Sequence, residues 1–224
     1  MALLGPRLEP QDGKATHLVV LCHGYGADGN DLIGLAAQWQ HVLPTVAFAA
    51  PNAPERCPGA GYQWFPISRI DPHEMHKGVE SATGALETFV KAELTRLELT
   101  PDRLALVGFS QGTMMALHSG LRGSLKPASI VGFSGLLTGA PPHADASPPP
   151  ILLAHGGSDT MIPPEALFIT ATALGAAGFC VQWHVSPDIG HGIDAAALDI
   201  AGRFLASAFR GEFKMNGEAC CALS

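Results

Sequence analysis

Short apolar runs alternate along the chain with longer segments whose apolar residues recur every three or four positions. The runs HLVVLC (17–22), TVAFAA (45–50), LALVGF (104–109), SIVGF (129–133) and ILLAH (151–155) are continuous enough to predict strands covered on both faces. Residues 180–185 alternate and predict a last strand. Helical spacing predicts helices over 31–41, 79–97, 111–121, 164–177 and 193–209. In the second of these, Val79, Ala82, Leu86, Phe89, Val90, Leu94 and Leu97 share one face, on which Glu93 is the polar exception. Thr100-Pro101-Asp102 ends that helix, and Gly178 stops the one before the last strand. Strands alternating with helices predict a mostly parallel sheet with helices on both faces, in one α/β domain over 1–224 with 215–224 as a flexible tail. In such a sheet, reactive groups belong in loops at the carboxyl ends of the strands. Two long loops rich in proline, 51 to about 75 and 139–150, interrupt the alternation. The first carries Tyr62, Trp64 and Phe65.

Composition narrows the function classes. The chain is 47% hydrophobic and 15% charged, which excludes a disordered chain. The formal net charge is −7 and Lys and Arg are scattered, so there is no basic footprint for nucleic acid. The five cysteines form no CxxC pair and no zinc spacing; they are expected to be free thiols in a reducing compartment. The start MALLGPRLEP lacks the pattern of a signal peptide, and no apolar run approaches the roughly 18 residues that span a bilayer. The expectation is a soluble, cytoplasmic protein with no integral membrane segment.

Gly108-Phe109-Ser110-Gln111-Gly112 matches G-x-S-x-G, with a predicted strand before it and a helix after it. The serine must stand on a sharp turn, and side chains two positions to either side would strike backbone. The helix start also aims free N–H groups at developing negative charge. Ser134, in Gly132-Phe133-Ser134-Gly135, is the rival, but Leu-Leu-Thr-Gly-Ala-Pro-Pro follows it and cannot start a helix.

A serine hydroxyl needs a base to take its proton. In this chain order the acid and then the histidine follow the serine. His118 lies in the helix that opens at Ser110, His143 in a proline-rich loop, and His155 ahead of any suitable acid. His184 sits inside the last strand. His191, in Gly190-His191-Gly192 past a strand end, is the expected base. Asp159, in HGGSD after the fifth strand, is the expected acid, ahead of Asp145, Glu165 and Asp188. The backbone N–H groups of Gln111 and Tyr25 are the expected oxyanion donors. His23 leads the glycine turn that carries Tyr25 and reads as structural.

Gly24-Tyr25-Gly26-Ala27-Asp28-Gly29 also fits G-x-G-x-x-G, so a dinucleotide site is a competing reading. It requires an acid at the end of the next strand, where the chain has Ala49-Ala50-Pro51-Asn52.

Together these segments resemble the phospholipase/carboxylesterase family of small α/β hydrolases, which includes the acyl-protein thioesterases. LCHGYGADGND is similar to the family's oxyanion loop, APNAPERCPGAGYQWFPI to its PxAP…WF segment, and GFSQGTMMAL to its nucleophile elbow. Thr113 stands where a third small glycine is common. HGGSDTMIP is similar to the acid loop and GHGI to the histidine loop. The resemblance implies the α/β-hydrolase fold and a triad of Ser110, Asp159 and His191. It implies hydrolysis of carboxylic esters through an acyl-enzyme, with lysophospholipids and acyl thioesters as alternative substrates. No metal and no organic cofactor is implied, and some relatives are homodimers. It also gives Tyr62, Trp64 and Phe65 a place at the border of the acyl pocket. A binding protein on this fold would be expected to lack a triad member. The terminal Cys221-Ala222-Leu223-Ser224 fits a prenylation signal, but no basic stretch precedes it.

Overall fold

The computed structural model describes residues 3–67 and 71–213. Strands β1 (Arg7–Leu8), β2 (His17–Cys22), β3 (Val46–Ala49), β6 (Leu104–Phe109), β7 (Ser129–Phe133), β8 (Ile151–Gly156) and β9 (Val181–Ser186) form one sheet. Their order is β1-β3-β2-β6-β7-β8-β9. Every pairing is parallel except that of β1 with β3. A second ribbon, β4 (Glu55–Arg56) with β5 (Tyr62–Gln63), lies in the loop that follows β3. The sequence pattern does not predict β1, β4 or β5, because two residues are too few to carry a period.

The strand runs are continuously apolar because helices cover both faces. Alternate residues point to opposite sides. Leu18, Val20, Leu104 and Leu106 enter one core, against α2 (Pro72–Leu97), α3 (Gln111–Arg122) and α4 (Glu165–Ala176). Val19, Leu21, Ala105 and Val107 enter the other, against α1 (Gly29–Trp39) and α5 (Ala195–Phe209). In the second core, buried Trp39 donates its indole N–H to Leu198 O at 2.8 Å, which ties α1 to α5. Burying one such ring contributes roughly 1.5–3 kcal/mol.

Helix α2 begins at Pro72, seven residues before the apolar period does. Asp71 caps it, accepting from the N–H groups of His73 and Glu74, and proline at the first position suits a helix start. Glu93 is buried at the far end of this helix. Arg7 Nε donates to it at 2.9 Å and Arg96 Nε at 3.0 Å. Burial would raise the Glu93 pKa, but the two guanidinium groups hold it below the usual carboxylate range. The polar exception on the helix is thus the anchor for β1.

Cys22 and Cys57 are free and buried, and burial pushes the Cys22 thiol up to about 12. Cys180 is disulfide-bonded, where free thiols were expected throughout. Pairing depends on which cysteines the fold brings together, and spacing does not show that. No helix among the described residues is long and apolar enough to cross a membrane. The proposed tail 215–224, with its terminal Cys221-Ala222-Leu223-Ser224, lies outside the described residues.

Candidate active site

The carboxyl ends of β2, β6, β8 and β9 bring the sequence-derived candidates together. Ser110 joins β6 to α3 with φ 53° and ψ −116°, a conformation side chains rarely adopt. The glycines around it are explained by space. A Cβ on Gly108 would lie 2.2 Å from Gly112 O, and one on Gly112 would lie 1.9 Å from Cys22 O. Thr113 fits because two neighbours have no side chain. Its Oγ1 lies 2.8 Å from both Gly108 O and Phe133 O. A Cβ on Gly132 or Gly135 would fall within 2.5 Å or 2.4 Å of its side chain.

Ser134 ends β7 and is fully buried, with its hydroxyl donating to Gly192 O at 3.3 Å. That burial fits the strand-end role read from the sequence.

The acid loop after β8 and the histidine loop after β9 run side by side. Gly157 N–H donates to Ser186 O at 2.8 Å and Ser158 N–H to Ile189 O at 2.9 Å. This places His191 Nδ1 2.7 Å from Asp159 Oδ2. Phe109, just before Ser110, packs against the His191 ring with centroids 5.0 Å apart. Asp159 is buried and its other oxygen accepts from the N–H groups of Met161 (2.8 Å) and Ile162 (3.0 Å). Burial would raise its pKa, but hydrogen bonds from His191, Ile162 and Met161 outweigh burial and hold it below the ordinary value. Asp159 is therefore a carboxylate at neutral pH.

A further contact has no signal in the residue pattern. His155, set aside because it precedes the acid, is buried with Nε2 3.2 Å from Asp159 Oδ2 and 2.9 Å from Ile162 O. Both neighbours are acceptors, so the ring proton sits on Nε2 and serves the acid.

Ser110 and His191 face a cavity of about 210 Å³. Its other walls are Tyr25, Ile67, Met75, Gln111, Met114, Leu136, Met161 and Ile162. Tyr62, Trp64 and Phe65, expected at the border of an acyl pocket, are not among these walls. Trp64 and Phe65 are buried beneath the site in the main core. Tyr62 is half-buried under Arg56, whose guanidinium carbon lies 4.1 Å from the ring centroid. An aromatic in a glycine-rich loop can face a pocket or the core, and only tertiary packing decides which.

Gln111 is the first residue of α3, so its N–H has no acceptor within the helix. Neither it nor the N–H of Tyr25 donates to another backbone group among the described residues. His23 is fully buried. Ala53 N–H donates to its Nε2 at 2.9 Å, and its Nδ1 lies 2.7 Å from Gly24 O. Burial lowers its pKa against the pull of the Gly24 carbonyl, so the ring is neutral and structural.

The dinucleotide reading loses its anion position. Asp28 caps α1 through a reciprocal pair with Asp31, so carboxylates already occupy that helix start. No group of three or more His, Cys, Asp or Glu among the described residues is arranged to hold a metal ion.

The comparisons with known proteins agree with this architecture. The chain is 27% identical over 227 residues to acyl-protein thioesterase 1 of Gibberella zeae, covering 90% of this chain and 94% of that one. It is 26% identical over 200 residues to the esterase YpfH of Escherichia coli, covering 87% and 84%. The crystal structure of esterase PE8 superposes with a TM-score of 0.86 at 39% identity, covering 93% of this chain and 100% of that one. The Phospholipase/Carboxylesterase family model matches residues 5–209, and the chain belongs to that family.

Proposed function

We propose that the chain is a serine hydrolase that cleaves carboxylic esters by way of an acyl-enzyme on Ser110. The observation that carries this is the 2.7 Å contact between His191 Nδ1 and Asp159 Oδ2, beside a strained Ser110 in the same apolar cavity. Asp159 fixes the proton on His191 Nδ1 and leaves Nε2 free to act as base. Ser110 Oγ attacks the ester carbonyl as Nε2 takes its proton. The N–H groups of Gln111 and Tyr25 receive the oxyanion, where one such donor is worth about 10²–10³ in rate. The imidazolium then protonates the leaving alcohol, and water repeats the sequence to free the acid. Apolar walls of Ile67, Met75, Met114, Leu136 and Ile162 would hold the acyl chain. A thioester would follow the same steps with a thiol as leaving group. The relative named acyl-protein thioesterase 1 favours that second reading.

The test is labelling with a fluorophosphonate probe and peptide mass spectrometry, followed by a panel of acyl esters and one acyl thioester. Modification of Ser110 is expected, and its absence from folded protein would reject the serine mechanism. A higher kcat/KM for the thioester than for its oxygen ester would favour the second reading.

A further inference from the structure

Tyr62, Trp64 and Phe65 do not wall the cavity, yet their segment is heavily bonded to both sides of the site. Towards the Tyr25 turn, Gly26 N–H donates to Tyr62 O at 2.9 Å and Tyr62 N–H to Ala27 O at 2.8 Å. Trp64 Nε1–H donates to His23 O at 3.0 Å. Towards α3, the Gln111 side chain clasps the Trp64-Phe65 dipeptide by its first N–H and its last carbonyl. Trp64 N–H donates to its Oε1 at 2.9 Å, and its Nε2 donates to Phe65 O at 2.8 Å. His23, Trp64, Phe65 and Gln111 are all buried, so water does not compete for these bonds.

We infer that the 62–65 segment is a brace that sets the spacing of the two oxyanion amides, with the side chains of Trp64 and Gln111 as positioning residues. This rests on the reading of Ser110 as nucleophile. The two amides are mounted differently. That of Gln111 is held by a buried helix, whereas that of Tyr25 rides on a glycine-flanked turn. Oxyanion stabilisation needs each donor within about 2.7–3.1 Å of the developing charge. The turn therefore needs an external reference. The Trp64 indole supplies one by holding His23 O, two residues before Tyr25. The Gln111 side chain then ties Trp64 to the residue whose own N–H is the second donor, so both donors share one hydrogen-bonded frame. A pocket wall would act on KM and more strongly for longer acyl chains. A brace acts on the transition state, and so on kcat at every acyl length.

The experiment uses the full chain with Trp64→Phe, which keeps an aromatic ring and removes the indole N–H. For p-nitrophenyl acetate, hexanoate and octanoate, kcat is expected to fall about tenfold, with KM unchanged within about twofold. Affinity for an aryl trifluoromethyl ketone, whose serine adduct carries an oxyanion, should fall by the same factor as kcat/KM. A merely structural loss would not produce that match. Gln111→Met keeps the backbone N–H and should give the same pattern; it decides the matter if Trp64→Phe does not fold. The double variant should be no worse than the weaker single one, because both act through one unit. An unchanged kcat, or a loss that appears in KM and grows with acyl length, would overturn the brace. Probe label on wild-type Ser110 beside unchanged constants in folded variants would remove the brace and leave the hydrolase reading. Absence of label on the wild type would remove both.

Discussion

Replacing Ser110 by glycine is expected to raise stability while abolishing turnover. Ser110 holds φ 53° and ψ −116°. A residue with a Cβ in such a sparsely populated region costs of order 1–3 kcal/mol. Glycine relieves that cost but frees the unfolded chain, which returns about 0.4–1 kcal/mol. The hydroxyl makes no capping bond to α3, so removing it leaves no helix donor unpaired. Ser110→Ala is the matched control, since it removes the same hydroxyl and keeps the Cβ. Glycine is therefore expected to exceed alanine by about 1–2 kcal/mol. For a chain of this size that is about 2–8 °C in melting temperature. Thermal unfolding followed by circular dichroism, checked by urea midpoints, measures the difference. Ester hydrolysis should be lost in both variants. If the alanine variant were as stable as the glycine variant, the turn would carry no strain despite its dihedral angles.

Two further predictions concern the histidines. His155→Phe removes a buried donor from Asp159 Oδ2 and Ile162 O, and should cost about 1–3 kcal/mol with a fall in kcat; a urea midpoint equal to wild type would mean that the donor contributes nothing. His17 is buried at the opposite end of β2, and burial, reinforced by the positive charge of Arg103, pushes its pKa down from 6.5 to about 4. The folded state binds this proton less readily than the unfolded chain, so His17 favours folding above pH 6.5 and that contribution is lost as the pH falls through about 4. Asp159, held below its ordinary pKa, adds to the loss at lower pH, because its hydrogen-bonded carboxylate form favours the folded state. Urea midpoints between pH 7 and 4 should therefore decline, and His17→Gln should flatten the decline; an equal slope in the variant would assign it to other groups.

What local chemistry dictates can be read along the chain. Runs such as LALVGF demand a strand buried on both faces, and the buried β6 agrees with that. The turn at Ser110 was legible because its glycines answer to backbone contacts within a few residues or to the adjacent strand, as the Gly108 and Gly112 distances show. The meeting of His191 with Asp159 was foreseeable because loops at strand ends are few, and residue type sorts among them. Whatever depends on partners far along the chain was settled only when the elements packed together. Glu93 reads as a flaw in an apolar face until Arg7, 86 residues away, arrives to pair with it. His155 looks like a strand residue until Asp159 folds back onto it. The aromatics Tyr62, Trp64 and Phe65 read equally well as the border of an acyl pocket or as pins of their own loop, since hydrophobic burial is non-directional and rewards either place. What separated the two was directional: the indole N–H of Trp64 finds His23 O, and the Gln111 amide finds the Trp64–Phe65 backbone. Hydrogen bonds of that kind exist only once the loops have met, and no pattern along the chain encodes them.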